Sequence, residues 1–142
     1  MSGPEVRGIR TMALVVGAVG AARAAAGVAA WGTVRSQLAS ERIVVPAAGG
    51  RWAGRTVKGP LVAFAEAEAI RKIALGATGG RTYGEMEEGD PLAETAMEAS
   101  LLRSSLFTSI VAFGVAAGEV ALGGVLMVIA VAMARLGRRP SC

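Results

Sequence analysis

The chain has 142 residues, which is the length of one modest domain, but its composition differs from that of an ordinary soluble domain. Hydrophobic residues make up 53% and charged residues only 18%, whereas soluble domains have about 25% charged residues. A single cysteine excludes a disulfide framework, and the lack of histidine excludes a histidine-ligated metal or a histidine acid or base. We therefore expect no catalytic residue, no metal ligand and no cofactor.

Two apolar stretches contain most of the hydrophobic residues. Residues 11–34 and residues 104–134 are each bounded by arginine on both sides, contain no proline and include one charge, Arg23 and Glu119 respectively. A helix needs about 20 apolar residues to cross the hydrocarbon core of a bilayer. Both stretches exceed that length, so they predict two transmembrane helices.

The first stretch also fits a cleavable signal peptide. Arginines precede the apolar run 12–22, and Ala22-Arg23-Ala24 has small residues at the positions of a cleavage site. The sequence nevertheless stays apolar through residues 24–34, where Trp31 suits a membrane interface. We favour a retained helix, and loss of the first 22–26 residues in an intact-mass measurement would show cleavage.

The charges that flank the two stretches predict the orientation in the cell (inner) membrane. Residues 1–10 carry net charge +1 and residues 135–142 carry +3, whereas residues 36–102 carry −2. Because positively charged flanks stay on the cytoplasmic side, we predict that both termini are cytoplasmic. The predicted order is a cytoplasmic tail at 1–10, a transmembrane helix at 11–34, an extracytoplasmic segment at 35–103, a transmembrane helix at 104–134 and a basic cytoplasmic tail at 135–142.

The predicted fold class is an all-α membrane protein, namely a two-helix transmembrane hairpin with a mostly helical extracytoplasmic segment. Gly59-Pro60 predicts the start of a helix within that segment, and Gly76 predicts its end. Asp90-Pro91 predicts another helix start, because an acidic N-cap followed by proline is a common opening. Nothing interrupts the helical pattern from there to Leu136, so one long helix is expected.

Arg23 and Glu119 each stand at the midpoint of their stretch, so two antiparallel helices would bring them to the same depth. An unpaired charge at the centre of a bilayer costs about 2.5–3.5 kcal/mol on insertion scales. Opposite charges recover part of that cost, and we therefore predict an intramembrane ion pair. Its role stays open between a clip that fixes the register of the helices, a solvated or snorkelling arginine, and a proton or ion relay.

Small residues share helix faces with both charges, which would let the two backbones approach closely. The predicted helix-packing residues on these faces are Gly20, Gly27, Ala112, Ala116 and Gly123. Gly114 and Gly118 form a second small-residue face. That face could hold a second copy of the chain or a helix of another membrane protein.

Several sequence blocks between residues 54 and 116 are similar to those of an uncharacterised family of small bacterial membrane proteins with two spans. The blocks are GRTVKGP at 54–60, ALGATGGRTY at 74–83, DP at 90–91, LLRSSLFTS at 101–109 and VAFG at 111–114. The resemblance implies the same two-span architecture. Members often carry the label "aromatic ring-opening dioxygenase", which implies chemistry at a non-haem iron. Such an iron needs histidine and carboxylate ligands, and this chain has no histidine.

These patterns predict a membrane protein without catalytic activity of its own, acting as an accessory or assembly partner. The expected partners are the lipid bilayer and either a second copy or another membrane protein. Nucleic acid is not expected, because the basic residues do not cluster among aromatic ones. The alternatives are an oligomeric proton- or ion-translocating protein that uses Arg23 and Glu119, and the ring-opening dioxygenase of the family label.

Overall fold

The chain is helical throughout most of its length in the computed structural model, which describes residues 3–138. The α-helices are α1 (Gly3–Ser40), α2 (Pro60–Ala77) and α3 (Ala93–Leu136), with short 3₁₀ helices at Ala47–Trp52 and Tyr83–Glu85. No strand occurs among residues 3–138, so the all-α class is confirmed. The predicted tails at 1–10 and 135–142 lie partly outside the described residues.

Helices α1 and α3 are long and apolar enough to cross a membrane. Their 38 and 44 residues correspond to about 57 and 66 Å, against about 30 Å for the hydrocarbon core of a bilayer. Their most apolar 18-residue windows have mean hydropathies of 1.7 and 2.2, yet only 17% of each window is buried. Most of the apolar surface of these two helices is therefore exposed.

The chain divides into two compact units, which share the long helices. The helix-pair unit comprises the described residues of Met1–Trp31 and Gly114–Cys142, and the connecting unit is Gly32–Phe113. In the helix-pair unit α1 and α3 run antiparallel. Gly137, directly after α3, lies beside Arg10 near the start of α1, and a Cβ atom added at Gly137 would lie 3.4 Å from Cγ of Arg10.

In the connecting unit α2 packs antiparallel against the first part of α3. The rings of Phe64 and Phe107 meet edge to face with their centroids 6.1 Å apart. One helix turn further along α2, Oε1 of Glu68 lies 4.0 Å from Nη2 of Arg103. The buried hydrophobic positions of α2 are all alanines, namely Ala63, Ala65, Ala67 and Ala69. Small side chains thus let α2 sit close to its neighbours.

The segment between α1 and α2 folds back on itself. Val44 and Thr56 form an isolated antiparallel bridge, with backbone hydrogen bonds of 3.0 and 2.9 Å on its two sides. The reversal includes Gly54, whose φ of +77° favours glycine. Val45 and Val57 are 2% and 0% exposed, so this short pairing contributes to the core of the connecting unit.

Helix α2 ends later than the sequence predicted. Gly76 lies inside the helix, and the residue that adopts the left-handed conformation is Gly79, with φ of +64°. The N–H of Gly80 donates to the carbonyl of Leu75 at 2.7 Å, which is the long hydrogen bond of a Schellman cap. The predicted end at Gly76 was wrong because two further glycines follow, and Gly79 together with the N–H of Gly80 closes the helix.

Helix α3 begins at Ala93, two residues after the start that Asp90-Pro91 predicted, and Asp90 stabilises the turn that leads into it. Oδ1 of Asp90 accepts the N–H of Leu92 at 2.9 Å, and its carbonyl accepts the N–H of Ala93 at 3.0 Å. Arg81 donates to Oδ2 of Asp90 at 2.7 Å. The hydrogen bond from Leu92 and then that from Arg81 hold the pKa of Asp90 below its usual value. The aspartate thus joins the start of α3 to the turn that follows α2.

One carboxyl group is buried among the alanines of α2. Glu66 is 7% exposed, and its Oε2 has no hydrogen-bond partner among residues 3–138. Burial raises the pKa of Glu66, because desolvation disfavours the charged form. The folded chain therefore retains a proton on Glu66 at pH values where the unfolded chain has lost it. Stability falls as the pH rises through the interval between those two pKa values.

Replacement of Glu66 by glutamine should stabilise the protein at neutral pH and have little effect at pH 4. The amide keeps the shape of the neutral carboxyl without its ionisation, so it removes the cost of a desolvated charge at pH 7 and changes little where the carboxyl is protonated. The free energy of unfolding at the two pH values measures it. Glu98→Gln, at an exposed position of α3, is the control. An equal gain from Glu66→Gln at both pH values would contradict the assignment.

Candidate functional site

Small residues spaced seven apart line the contact between α1 and α3 in the helix-pair unit. The buried positions in this seam are Ala13, Gly20 and Gly27 on α1, Ala116, Gly123 and Ala130 on α3, and Gly137 directly after α3. A repeat of seven keeps one face of a helix against its partner when the two wrap around each other with a left-handed twist. The repeat therefore defines a continuous seam along both helices.

The two backbones touch at the glycines of this seam. A Cβ atom added at Gly123 would lie 2.5 Å from the carbonyl oxygen of Gly20 and 2.6 Å from the backbone nitrogen of Ala24. One added at Gly27 would lie 2.6 Å from the carbonyl oxygen of Ala116. These distances are shorter than any ordinary van der Waals contact, so a side chain at either glycine requires the helices to move apart.

Arg23 and Glu119 meet beside this seam. Nη1 of Arg23 lies 2.9 Å from Oε1 and 2.8 Å from Oε2 of Glu119. The two side chains are 43% and 37% exposed, so they lie along the edge of the seam and not inside it. On α1, Arg23 stands between Gly20 and Gly27, and the close backbones at those glycines bring the carboxylate within its reach.

The ion pair uses only part of the hydrogen-bonding capacity of the arginine. Both oxygens of Glu119 are bound by the same nitrogen, Nη1 of Arg23, in place of the two-nitrogen fork that guanidinium groups often form with carboxylates. A guanidinium carries five N–H donors. Within residues 3–138, neither Nε nor Nη2 of Arg23 has a hydrogen-bond partner. Arg23 thus keeps unused donors on a side chain that is 43% exposed.

The predicted packing residues divide into those that the structure brings together and those that it does not. Gly20, Gly27, Ala116 and Gly123 lie in the seam, whereas Ala112 is half-buried and belongs to the connecting unit. A Cβ added at Gly114 or Gly118 would meet no atom within 4 Å. That second small-residue face therefore makes no contact of this kind with α1.

Sequence reasoning missed three members of the seam, Ala13, Ala130 and Gly137. The first two lie seven residues from the predicted packing glycines Gly20 and Gly123, and Gly137 lies seven residues after Ala130. A search for small residues at a strict spacing of seven, extended outwards from the two charges, would have found them.

The chemistry available to this site is electrostatic. Arg23 and Glu119 are the only charged residues of the stretches 11–34 and 104–134. Among the described residues, no group of three or more acidic, cysteine or histidine side chains is placed to hold a metal ion. The arrangement can fix the register and depth of two helices, and it offers unused donors to a third group.

A methyl group added in the seam should destabilise the protein, whereas one added at the next residue should not. We expect Gly123→Ala to lower the free energy of unfolding by about 1–3 kcal/mol through overpacking. Gly124→Ala is the control, because a Cβ at Gly124 meets nothing within 4 Å. Alanine can raise helix stability by about 1 kcal/mol at either position, so the difference between the variants isolates the contact. Equal effects of the two substitutions would contradict it.

Loss of one member of the ion pair should cost more than loss of both. Arg23→Gln or Glu119→Gln leaves one charge without its partner, and each should lower the free energy of unfolding in detergent micelles. The double variant should recover part of that loss, with a coupling energy of about 0.5–3 kcal/mol. Arg35→Gln removes an exposed charge outside the seam and is the control. Additive losses in the double variant would show that the contact contributes nothing to stability.

Comparison with known proteins identifies no relative of this chain. No family model matches the chain, and no curated protein or solved structure matches it. The resemblance of residues 54–116 to a two-span membrane family stays a prediction. The function has to be argued from the seam, the ion pair and the exposed apolar surface.

Proposed function

We propose that the chain is an integral membrane protein in which α1 and α3 form a transmembrane hairpin. The support is the exposed apolar surface of the two helices, of whose most apolar windows only 17% is buried. Contact of that surface with water is unfavourable, by about 25 cal/mol per Å². Lipid removes this cost, and α-helices satisfy their own backbone hydrogen bonds there. The resemblance of residues 54–116 to two-span proteins supports the same architecture.

The proposed orientation places both termini in the cytoplasm and residues 35–103 outside the inner membrane. The charge difference supports it, because residues 1–10 and 135–142 are net positive while the segment between the spans is net negative. The connecting unit has its own buried residues, ion pairs and helix caps, which suit an aqueous surface. Trp31, near the end of the first apolar stretch, suits the outer interface.

Within the membrane, the proposed role is that of an accessory or assembly partner without catalytic activity. The observation that carries this proposal is the unused donors of Arg23, a mid-span residue whose side chain is 43% exposed. Donors exposed to hydrocarbon are unfavourable, and a further transmembrane helix with an acceptor would satisfy them. The partner would be a second copy of the chain or another membrane protein.

A proton or ion relay is less well supported by the same residues. A relay needs successive groups that can take up and release the ion, and charged residues in transport pathways commonly form such chains. The stretches 11–34 and 104–134 contain Arg23 and Glu119 and no other charged residue. A proton leak through liposomes that disappears in Glu119→Gln would nevertheless favour translocation over the assembly role.

The assembly role predicts that the chain leaves the membrane together with a partner. Membranes are first washed with alkaline carbonate, which strips peripheral proteins, and then extracted with a mild detergent for native mass spectrometry. We expect the wild-type chain in particles with more than one polypeptide. Arg23→Gln should lower their share at least several-fold, and Arg35→Gln should not. A monomeric wild-type chain, or release of the chain by carbonate, would overturn the proposal.

The same membranes test the orientation, because Cys142 is the only cysteine. A membrane-impermeant maleimide should label Cys142 only after the cells are opened. In a Cys142→Ser background, Glu88→Cys should be labelled in intact cells, because this exposed position belongs to the segment between the spans. The reverse pattern, or labelling of both positions from one side, would contradict the proposed orientation.

A further inference from the structure

A cavity of about 210 Å³ lies in the connecting unit, between the end of α2, the turn at residues 81–84 and the first part of α3. Its volume corresponds to about seven water molecules. Its lining includes the arginines Arg71, Arg81 and Arg103 and the hydroxyl-bearing residues Thr82, Tyr83 and Ser100. The remaining lining residues are alanine, leucine and glycine, so no acidic side chain lines the cavity.

Two of the three arginines already have carboxylate partners. Nε of Arg71 donates to Oε2 of Glu68 at 3.1 Å, and Nη1 of Arg81 donates to Oδ2 of Asp90 at 2.7 Å. Each contact uses one nitrogen of its guanidinium, which leaves further N–H donors on both arginines. A third carboxylate, Glu85, accepts hydrogen bonds from the backbone and hydroxyl of the lining residue Thr82 and interacts with the charge of Arg81. The three guanidinium groups nevertheless keep N–H donors that none of these carboxylates uses.

Arg103 is the arginine without a hydrogen bond. Its Nη2 is 4.0 Å from Oε1 of Glu68, which is too far for one, and its buried Nε has no partner among residues 3–138. The guanidinium lies over the ring of Phe107, with its central carbon 5.9 Å from the ring centroid. That ring packs in turn against Phe64, so the guanidinium is positioned in advance.

We propose that this cavity binds a phosphate group through Arg103, Arg71 and Arg81. Arginines bind phosphate oxygens by charge-assisted hydrogen bonds, which are about twice as strong as neutral ones. The donors come from three separate elements, so they suit the several oxygens of a tetrahedral group better than the two oxygens of a planar carboxylate. The hydroxyls of Tyr83 and Ser100 have no hydrogen-bond partner within the described part of the chain and supply further donors.

The phosphate group can come from a lipid headgroup or from a soluble compound. A lipid headgroup is one candidate because Arg103 immediately precedes the apolar residues 104–134, and arginines that flank an apolar stretch commonly lie near the headgroups. The cavity and its arginines belong to the connecting unit alone, and phosphate binding does not require the proposed membrane orientation. A negative result for phosphate therefore leaves the proposed membrane role untouched.

Calorimetry on the full-length chain tests the site. The protein is delipidated in a non-ionic detergent and titrated at constant ionic strength with inorganic phosphate, with a short-chain phosphatidylglycerol and with acetate. We expect saturable binding of about one phosphate-bearing molecule per chain and at least tenfold weaker binding of the planar acetate. Binding of phosphatidylglycerol alone identifies a lipid headgroup as the source, and binding of inorganic phosphate identifies the phosphate group itself as sufficient.

Matched variants separate the site from general charge. Arg103→Gln should weaken phosphate binding at least tenfold, because it removes the arginine whose donors are all unused. Tyr83→Phe should weaken it about two- to fivefold by removing one hydroxyl from a half-exposed residue, so it keeps the test valid if Arg103→Gln misfolds. Arg51→Gln is the control, since exposed Arg51 contacts Trp52 and does not line this cavity.

Some outcomes would overturn the proposal. One is the lack of saturable binding of both phosphate-bearing probes, and another is acetate binding as tight as phosphate. A third is a loss of affinity in Arg51→Gln equal to that in Arg103→Gln, because it would show attraction by overall charge. Binding that survives both Arg103→Gln and Tyr83→Phe would likewise place the phosphate elsewhere on the chain.

Discussion

The contact of two helix backbones at Gly20, Gly27 and Gly123 is the constraint on which the helix-pair unit depends. Two apolar helices gain little in lipid from hiding apolar side chains, because the lipid tails are equally apolar. In the proposed membrane location, the association of α1 and α3 has to come from close packing and from polar contacts between them. Backbones that approach to van der Waals distance provide the first, and the pair of Arg23 with Glu119 provides the second. The glycines therefore matter more to this unit than any large side chain does.

The same close approach determines what the charges can do. Glu119 has a short side chain, and a wider spacing between the helices would leave its carboxylate beyond the reach of Arg23. At the observed spacing one nitrogen of Arg23 reaches both carboxylate oxygens. The remaining donors have no partner within residues 3–138, and the side chain is 43% exposed because the pair lies at the edge of the seam. The seam thus brings the two charges together but leaves N–H donors of Arg23 without an acceptor. A third helix that carries an acceptor is therefore expected.

The sequence was informative where a pattern is rare and uninformative where it is common. Single charges at the midpoints of two apolar stretches are rare, and Arg23 and Glu119 were paired from that position alone. Alanine and glycine are frequent throughout both helices, so Ala13 and Ala130 did not stand out as members of the seam. The end of α2 was misplaced for a related reason, since Gly76 and Gly79 are both plausible helix ends. The two possible helix ends are distinguished only by the backbone hydrogen bonds of the folded chain, in which the N–H of Gly80 donates to the carbonyl of Leu75.

The cavity of the connecting unit could not be read from the sequence, because its arginines come from three elements whose meeting depends on the turn after α2. Arg71 and Arg81 are ten residues apart and Arg103 is a further 22 away. Gly79 and Gly80 reverse the chain after α2, and the contact of Arg81 with Asp90 ties that reversal to the start of α3. The turn that ends α2 and the contact that leads into α3 thus also bring the three arginines to one cavity.

Arg23 and Arg103 show how the distance to a carboxylate changes what an arginine is available for. Glu119 lies at 2.8 Å from Arg23, so most of the charge of that guanidinium is compensated within the chain. Glu68 lies at 4.0 Å from Arg103 and is itself bound to Arg71 at 3.1 Å, so it compensates Arg103 only in part. A guanidinium remains charged at any physiological pH and cannot relieve this by losing a proton. Water can complete some hydrogen bonds of this part-exposed side chain, but only an anion also compensates its charge, which is why the two arginines are assigned different roles.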